Sequence, residues 1–411
     1  MNSRQCRGKG GSMNIIDVTK ITRQAVAESM GMDYMNEHGY LENIPAEKLV
    51  DIGKDVANGI NATVEIFTKS ILTQLAKHVI DEGKAGILFN DIEVDRVEWG
   101  GFIERSKIDY ADIMDDPVLS VANGVDFSSI EHTFYAPKVQ TKIYDEGKGI
   151  CVPISIQKVM LTEAFTSWDA MNAYLSKIRA KVKLTVKKAM DRYAGVLVEG
   201  GIATSVLGTQ NAIYLLDEAY ADGVDGITTT TTETEALENE AYLKYVGRKI
   251  SEVRSNMLVD SIAYNDGTWA TACDNSILYL NTHYSRNLQF GVFADTYNKE
   301  DVKFGKYKEI PYWQALNANG NTPFNYADST AIRFSADATN KLGLGTSAIA
   351  IDNVIGFLFD PMAIGYTLYK EYMTSSYTAC ADFWNEFIHI LVNMILDTGY
   401  PMVAFINGRA N

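Results

Sequence analysis

The chain has 411 residues, 46 % of them hydrophobic, which is enough for two or three domains with sizeable cores. Its formal net charge of −15 argues against a general nucleic-acid binder, whose surface would be basic to neutralise phosphates. No run approaches the roughly 18 apolar residues of a membrane span, so no membrane partner is expected. The cysteines (Cys6, Cys151, Cys273, Cys380) lack zinc or redox spacing, and the histidines (His38, His78, His132, His283, His389) are scattered without an HExxH motif. No metal or other cofactor is expected.

Residues 1–12 are basic and Gly-rich without an apolar centre, which reads as a disordered arm or an overcalled start upstream of Met13. Residues 13–45 mix short amphipathic fragments with loop residues and read as an arm. From Pro45 to Gly83 apolar residues recur at helical steps (Leu49, Ile52, Val56, Ile60, Val64, Phe67, Ile71, Leu75, Val79), with Gly83 in the C-terminal position.

Residues 91–131 are acidic, and apolar and polar residues partly alternate through IEVDRVEWGGFIERSKI. The alternation resumes in VQTKIYDEGKGICVPI, which predicts a long antiparallel two-stranded excursion with an acidic tip around residues 109–126. A two-stranded ribbon alone is barely stable in water, so it should lie against something else.

A long helix is predicted over about 162–193. Its apolar stripe is Trp168, Met171, Leu175, Ile178, Val182, Val186, Ala189 or Met190, and Tyr193, and its other sides carry Lys177, Arg179, Lys181, Lys183, Lys187, Lys188 and Arg192. Roughly 30 helical residues reach about 45 Å. One narrow buried side over that length suits a strut across an extended subunit better than the wall of a closed active site.

After Gly200 the pattern is mixed. A Thr-rich loop precedes a helix to about Asn256, with Thr234 as its expected N-cap. Strands are expected in LVDSIAYND, SAIAIDN and VIGFLFD, and TACADFWNEFIHILVNMI reads as apolar helix or strand before a closing strand in YPMVAFING. Residues 291–340 are aromatic and polar with little periodicity. Only eight prolines and no Ser- or Pro-rich linker imply interwoven domains.

Chemical motifs are weak. LGLGTS (342–347) lacks the Lys of a P-loop and the third Gly of a dinucleotide fingerprint, and reads as a turn between strands. IDYADIMDDPV lacks the alternating ligands, Gly turn and terminal Glu of a calcium loop. No GxSxG or Cys–His signature supports a nucleophilic enzyme. The basic helix has three readings: a solvated face, a nucleic-acid contact, or a dock for an acidic partner. The third gains from the acidic segment upstream. In a symmetric assembly Asp109, Asp112, Asp115 and Asp116 of one copy can meet Lys177, Lys181 and Lys188 of the next, each exposed pair contributing ~0.2–1 kcal/mol.

Three stretches, GFIERSKIDYADIMDDPVL, LTEAFTSWDAMNAYLSKIRAKV and ADFWNEF…YPMVAFING, together with this order of elements, resemble the major capsid protein of tailed bacteriophages with the Hong Kong 97 fold. More narrowly, they are similar to the major head proteins of small short-tailed phages. The resemblance implies an α+β chain with an N-terminal arm (1–45), a helical part of the peripheral region (46–89), an extended loop (90–153), a peripheral domain with the spine helix (154–199), an axial domain (200–385) and a return to the peripheral domain (386–411). It also implies no enzymatic activity and self-assembly, as pentameric and hexameric capsomers, into an icosahedral head around double-stranded DNA. The implied partners beyond itself are scaffolding, portal or decoration proteins, with the packaged DNA touched only weakly and non-specifically. The implied location is the virion capsid, made in the host bacterial cytoplasm. Nothing singles out a Lys–Asn crosslinking pair. The alternatives are an encapsulin-like cargo cage, a portal or tail component, and a cytoplasmic α+β enzyme with a pocket in 291–340.

Overall fold

The computed structural model describes residues 15–37, 88–94, 103–108, 139–144, 147–157, 168–207, 211–291, 307–314, 329–341 and 346–410, with a few isolated positions between them. The helix expected over 45–83 and the acidic tip lie outside the described residues. The fold divides into two compact units.

The first unit comprises Met1–Asn90, Lys148–Tyr193 and Leu368–Val392. Where short fragments and loop were expected over 13–45, the described residues form one helix, α1 (Ile15–Glu37), interrupted at Gly31, whose φ of 88° is the left-handed conformation that glycine adopts without penalty. A three-stranded sheet has the order β10 (Ile364–Thr378), β11 (Phe383–Leu396), β3 (Gly147–Gln157). Period-two patterning builds it: Val152, Ile154 and Ile156 of β3 are buried while Cys151, Pro153 and Ser155 are exposed, and β11 buries Trp384, Ile388, Ile390 and Val392. The segment that sequence left open between helix and strand is therefore strand.

Helix α2 (Trp168–Leu207) has 40 residues, about 60 Å at 1.5 Å per residue. It buries Val182, Val186 and Met190 on the expected stripe. It runs beyond the predicted end near Tyr193 and through Gly200–Gly201. A Cβ at Gly201 would stand 2.5 Å from Ile364 Cδ1 and 3.0 Å from the Phe357 ring, so glycine here serves close packing rather than termination.

The second unit comprises Asp91–Gly147, Ala194–Thr367 and Asn393–Asn411. Its centre is a mixed five-stranded sheet in the order β4 (Ala212–Tyr214), β12 (Met402–Ile406), β9 (Val354–Phe359), β5 (Ile277–Asn281), β6 (Tyr307–Ile310). The β12/β9 and β9/β5 pairs are antiparallel, and the two outer pairs are parallel. Strands β9 and β12 are buried at every position, which explains their unbroken apolar runs. On one sheet face Leu278, Leu280, Leu358, Val403 and Phe405 meet α3 (Leu215–Ala221) and Tyr242, Leu243, Val246, Ile250 and Val253 of α5 (Glu240–Asn256). On the other, Phe357 and Phe359 stack at 5.0 Å beside Gly201. Residues 386–411, grouped together in the sequence reading, divide: those up to Val392 lie in the first unit, and 393–411 in the second.

Two local expectations are corrected. The N-cap is Thr232, not Thr234: Thr232 Oγ1 accepts from Glu235 N at 3.3 Å and Glu235 Oε2 accepts from Thr232 N at 2.9 Å, a reciprocal capping box that opens α4 (Glu233–Glu238). Asn239 then caps α5 separately, accepting from the amides of Ala241 and Tyr242. LVDSIAYND is a turn region with one bridge, Ser261 to Thr271, instead of a strand. Asn265 holds it, donating to Trp269 O at 2.7 Å and Thr271 Oγ1 at 2.9 Å and accepting from Gly267 N at 2.8 Å, side-chain bonds that compete with a strand ladder.

Within 291–340 the described parts supply the end of α6 (Thr282–Gly291), β6, β7 (Ile332–Phe334) and most of α7 (Ala336–Lys341). Trp313 there is buried, donating to Val354 O at 2.8 Å. Phe334 is buried as well, whereas Tyr312 is exposed. The Gly-rich LGLGTS lies mostly outside the described residues; Thr346 and Ser347 precede β8 (Ile349–Ile351), so the segment links helix α7 to a strand.

Candidate interaction surfaces

The two-stranded excursion begins as a ribbon of β1 (Ile103–Ile108) and β2 (Val139–Tyr144), antiparallel in the register Ile103–Tyr144, Arg105–Lys142, Lys107–Gln140. Alternation gives it two unlike faces. The inner face carries Arg105, Lys107, Gln140, Lys142 and Tyr144, all at least partly buried. The outer face exposes Glu104, Ser106, Thr141, Val139 (57 %) and Ile143 (61 %). The inner face, half-buried Ile103 apart, is thus polar and basic, while the outer face leaves two apolar residues in water among polar ones.

Turns of the second unit receive the inner face. Lys142 Nζ lies 3.0 Å from Asp397 Oδ1 and 3.6 Å from Asp266 Oδ2. Lys107 Nζ donates to Gly399 O at 2.5 Å and sits 3.6 Å over the Tyr400 ring, a cation–π contact. Arg105 donates to Met362 O, and Trp269 Nε1 donates to Gln140 Oε1 at 2.5 Å. The turns are bonded to one another as well: Asp397 N to Ala363 O at 2.7 Å, Asp360 N to Pro401 O at 2.9 Å, and Asp266 N to Thr398 O at 2.9 Å. The chain entering the ribbon is stitched down by Val94 N to Tyr366 O at 2.9 Å.

The electrostatics follow from this geometry. Burial alone would raise Asp397, but the Lys142 bond, the Gly399 amide and the Lys107 charge outweigh it and hold the carboxyl below its ordinary range. Asp266 is likewise held low, burial being outweighed by hydrogen bonds from Thr268 and Thr398 and by the Lys142 charge. Burial lowers Lys107 against the pull of Asp397, and burial with the Asp397 charge pushes the Tyr144 phenol well up.

Lys177, Lys181 and Lys188, the basic residues singled out from sequence, are exposed on α2. Between them stands Leu184, 58 % exposed and flanked by exposed Thr185. Steps of three and four residues align 177, 181, 184 and 188, away from buried Val182, Val186 and Met190. Their expected acidic counterparts Asp109, Asp112, Asp115 and Asp116 lie outside the described residues. The ribbon clamp was missed from sequence, because its hydrogen-bonded partners stand from 129 (Gln140 and Trp269) to 292 (Lys107 and Gly399) residues apart and no short-range pattern signals them.

A cavity of about 420 Å³ in the second unit has a mixed lining that includes Glu233, Asn281, His283 and Asn407 beside Leu237 and Val354. Asn281 and Asn407 spend their amides on Ser329 O and Glu233 O, both at 2.9 Å, and thereby tie loops together. Among the described residues no group of three His, Cys, Asp or Glu is placed to hold a metal ion, and no helix is long and apolar enough to cross a membrane.

Comparison with solved structures gives the capsid of Staphylococcus phage Andhra, at 13 % identity over 79 % of this chain and 85 % of that one, with a TM-score of 0.51. The capsid of the cyanophage P-SCSP1u is similar at 10 % identity over 77 % and 86 %, with a TM-score of 0.41. The sequence matches no curated protein. The α+β architecture is that of Hong Kong 97-like phage capsids. A family description, Phi29-like phage major capsid protein, matches residues 23–406. The chain, with its latched ribbon and long one-sided helix, belongs to the Phi29-like phage major capsid proteins.

Proposed function

We propose that this major capsid protein self-assembles, through pentameric and hexameric capsomers, into an icosahedral head around double-stranded phage DNA, and that ribbon and basic helix are the parts neighbouring copies complete. One observation carries the reading. The ribbon is fastened by its polar face and leaves Val139 and Ile143 outward, while α2 presents Leu184 among Lys177, Lys181 and Lys188. Apolar residues on a ribbon fastened from its other side need cover from elsewhere, and a lysine-framed leucine matches them in chemistry. The acidic Asp109, Asp112, Asp115 and Asp116 beyond the ribbon base would extend the same contact by charge.

In this reading 1–45 is the arm, 46–89 the helical part of the peripheral region, 90–153 the extended loop, 154–199 the peripheral domain with the spine helix, 200–385 the axial domain and 386–411 the returning segment. Scaffolding, portal or decoration proteins would add to the self-contacts, and packaged DNA would meet the acidic protein weakly. Synthesis would be in the host bacterial cytoplasm, and the chain would act without making or breaking bonds. The test is to express the chain with Lys177, Lys181 and Lys188 each changed to Glu. Loss of shells and capsomers with the wild-type circular dichroism spectrum retained supports the reading, and unimpaired assembly removes it.

A further inference from the structure

We infer that Asp397 is an ionic latch that both closes the ribbon's two strands and fastens them to the body, so that its loss frees the ribbon base without unfolding the sheet behind it. The register places Arg105 directly opposite Lys142, with Lys107 one step along the same face. Like charges directly opposite in an antiparallel pair destabilise it, and a two-stranded ribbon has little stability of its own. The ribbon therefore closes only where anions are supplied.

The anions come from the body. Asp397 has its side chain 1 % exposed, accepting from Lys142 at 3.0 Å and from Gly399 N at 3.1 Å through Oδ1. The buried Tyr144 hydroxyl also faces the Asp397 carboxylate, whose charge and hydrogen bonding push the phenol well up. Asp266 faces Lys142 from the loop between Ser261 and Thr271, and Asp360 faces Lys107 from the end of β9. Tyr400 lies beneath Lys107 and within 5.9 Å of Arg105.

A latch of this composition is reversible for a physical reason. Apart from Ile103 and the Tyr144 and Tyr400 rings, the groups it releases are charged or polar and take up water when freed, so undocking exposes little apolar surface. The latch touches β9 and β12 only at the turns beyond their ends, and the buried side chains of the two strands take no part in it. Fixing the direction of the ribbon matters for the shell only through the docking proposed above; the latch itself is a property of one molecule.

The test uses the full-length, unassembled protein and hydrogen–deuterium exchange. Asp397→Asn and, separately, Lys142→Gln should each raise exchange of residues 103–108 and 139–144 by about tenfold or more while residues 354–359 and 402–406 keep wild-type protection. Wild-type ribbon protection in either variant overturns the inference, and so does an equal loss of protection in the central sheet in both. Should Asp397→Asn fail to fold, Lys142→Gln alone decides by the same criteria. Because assembly plays no part in this readout, failure of the docking surface would leave it unchanged.

Discussion

Lys142 Nζ and Asp397 Oδ1 lie 3.0 Å apart although 255 residues separate them, and Asp397 is almost fully buried. A buried carboxylate of this kind is costly without its cation, so the pair fixes where the ribbon sits even if its net contribution to stability is small.

The pair sets a pH dependence. Both Asp397 and Asp266 are held below their ordinary values, so the stabilisation they give is present above the unfolded value of about 3.9 and is lost as pH falls through the lower folded value. Hydrogen exchange of unassembled protein, corrected for the intrinsic exchange rate at each pH, should find residues 103–108 and 139–144 as protected at about pH 5 as at higher pH, and progressively less protected below about pH 4. Release of the ribbon between neutral pH and about pH 5 would contradict this assignment.

Gly201 should tolerate no side chain. A Cβ there meets Ile364 Cδ1 at 2.5 Å and the Phe357 ring at 3.0 Å, in a core that cannot shift freely. Gly201→Ala should destabilise the protein by about 1–3 kcal/mol and Gly201→Val by more, read as lowered denaturation midpoints. An unchanged midpoint for the alanine variant would mean that α2 does not press on the sheet as described.

The capping box locates a smaller effect. Thr232→Ala removes the acceptor for Glu235 N and should cost about 1 kcal/mol, whereas Thr234→Ala, at the position favoured from sequence, should stay within about 0.5 kcal/mol. Urea unfolding of the two variants side by side distinguishes them, and equal losses would refute the placement of the helix start.

Leu184 permits a test apart from charge. Leu184→Ser on the exposed face of α2 should leave the thermal midpoint within a degree or two, because its side chain is already 58 % exposed. It should nonetheless slow shell formation in light scattering, and high salt should slow the wild type through the lysines. Normal assembly kinetics for Leu184→Ser would remove the apolar half of the docking surface.

Much of the architecture is written locally. The alternation in residues 103–108 and 139–144 foretells the ribbon, and the spacing of Val182, Val186 and Met190 foretells the helix and its buried side. What sequence misreads is decided by distant partners or by one polar side chain. Gly200–Gly201 looks like a helix end until Phe357 is brought against it, and LVDSIAYND has strand composition until Asn265 bonds three groups across a turn. The clamp is least legible of all. Lys107 and Lys142 read as ordinary ribbon charges, and nothing near Asp397 announces that it will be buried beneath them.

Electron microscopy of the purified full-length chain at high concentration decides whether copies complete one another. Closed shells or ring-shaped capsomers should appear, and should vanish when Lys177, Lys181 and Lys188 are each changed to Glu. A uniform population of compact monomers from the wild-type chain, under every salt and concentration tried, would contradict this.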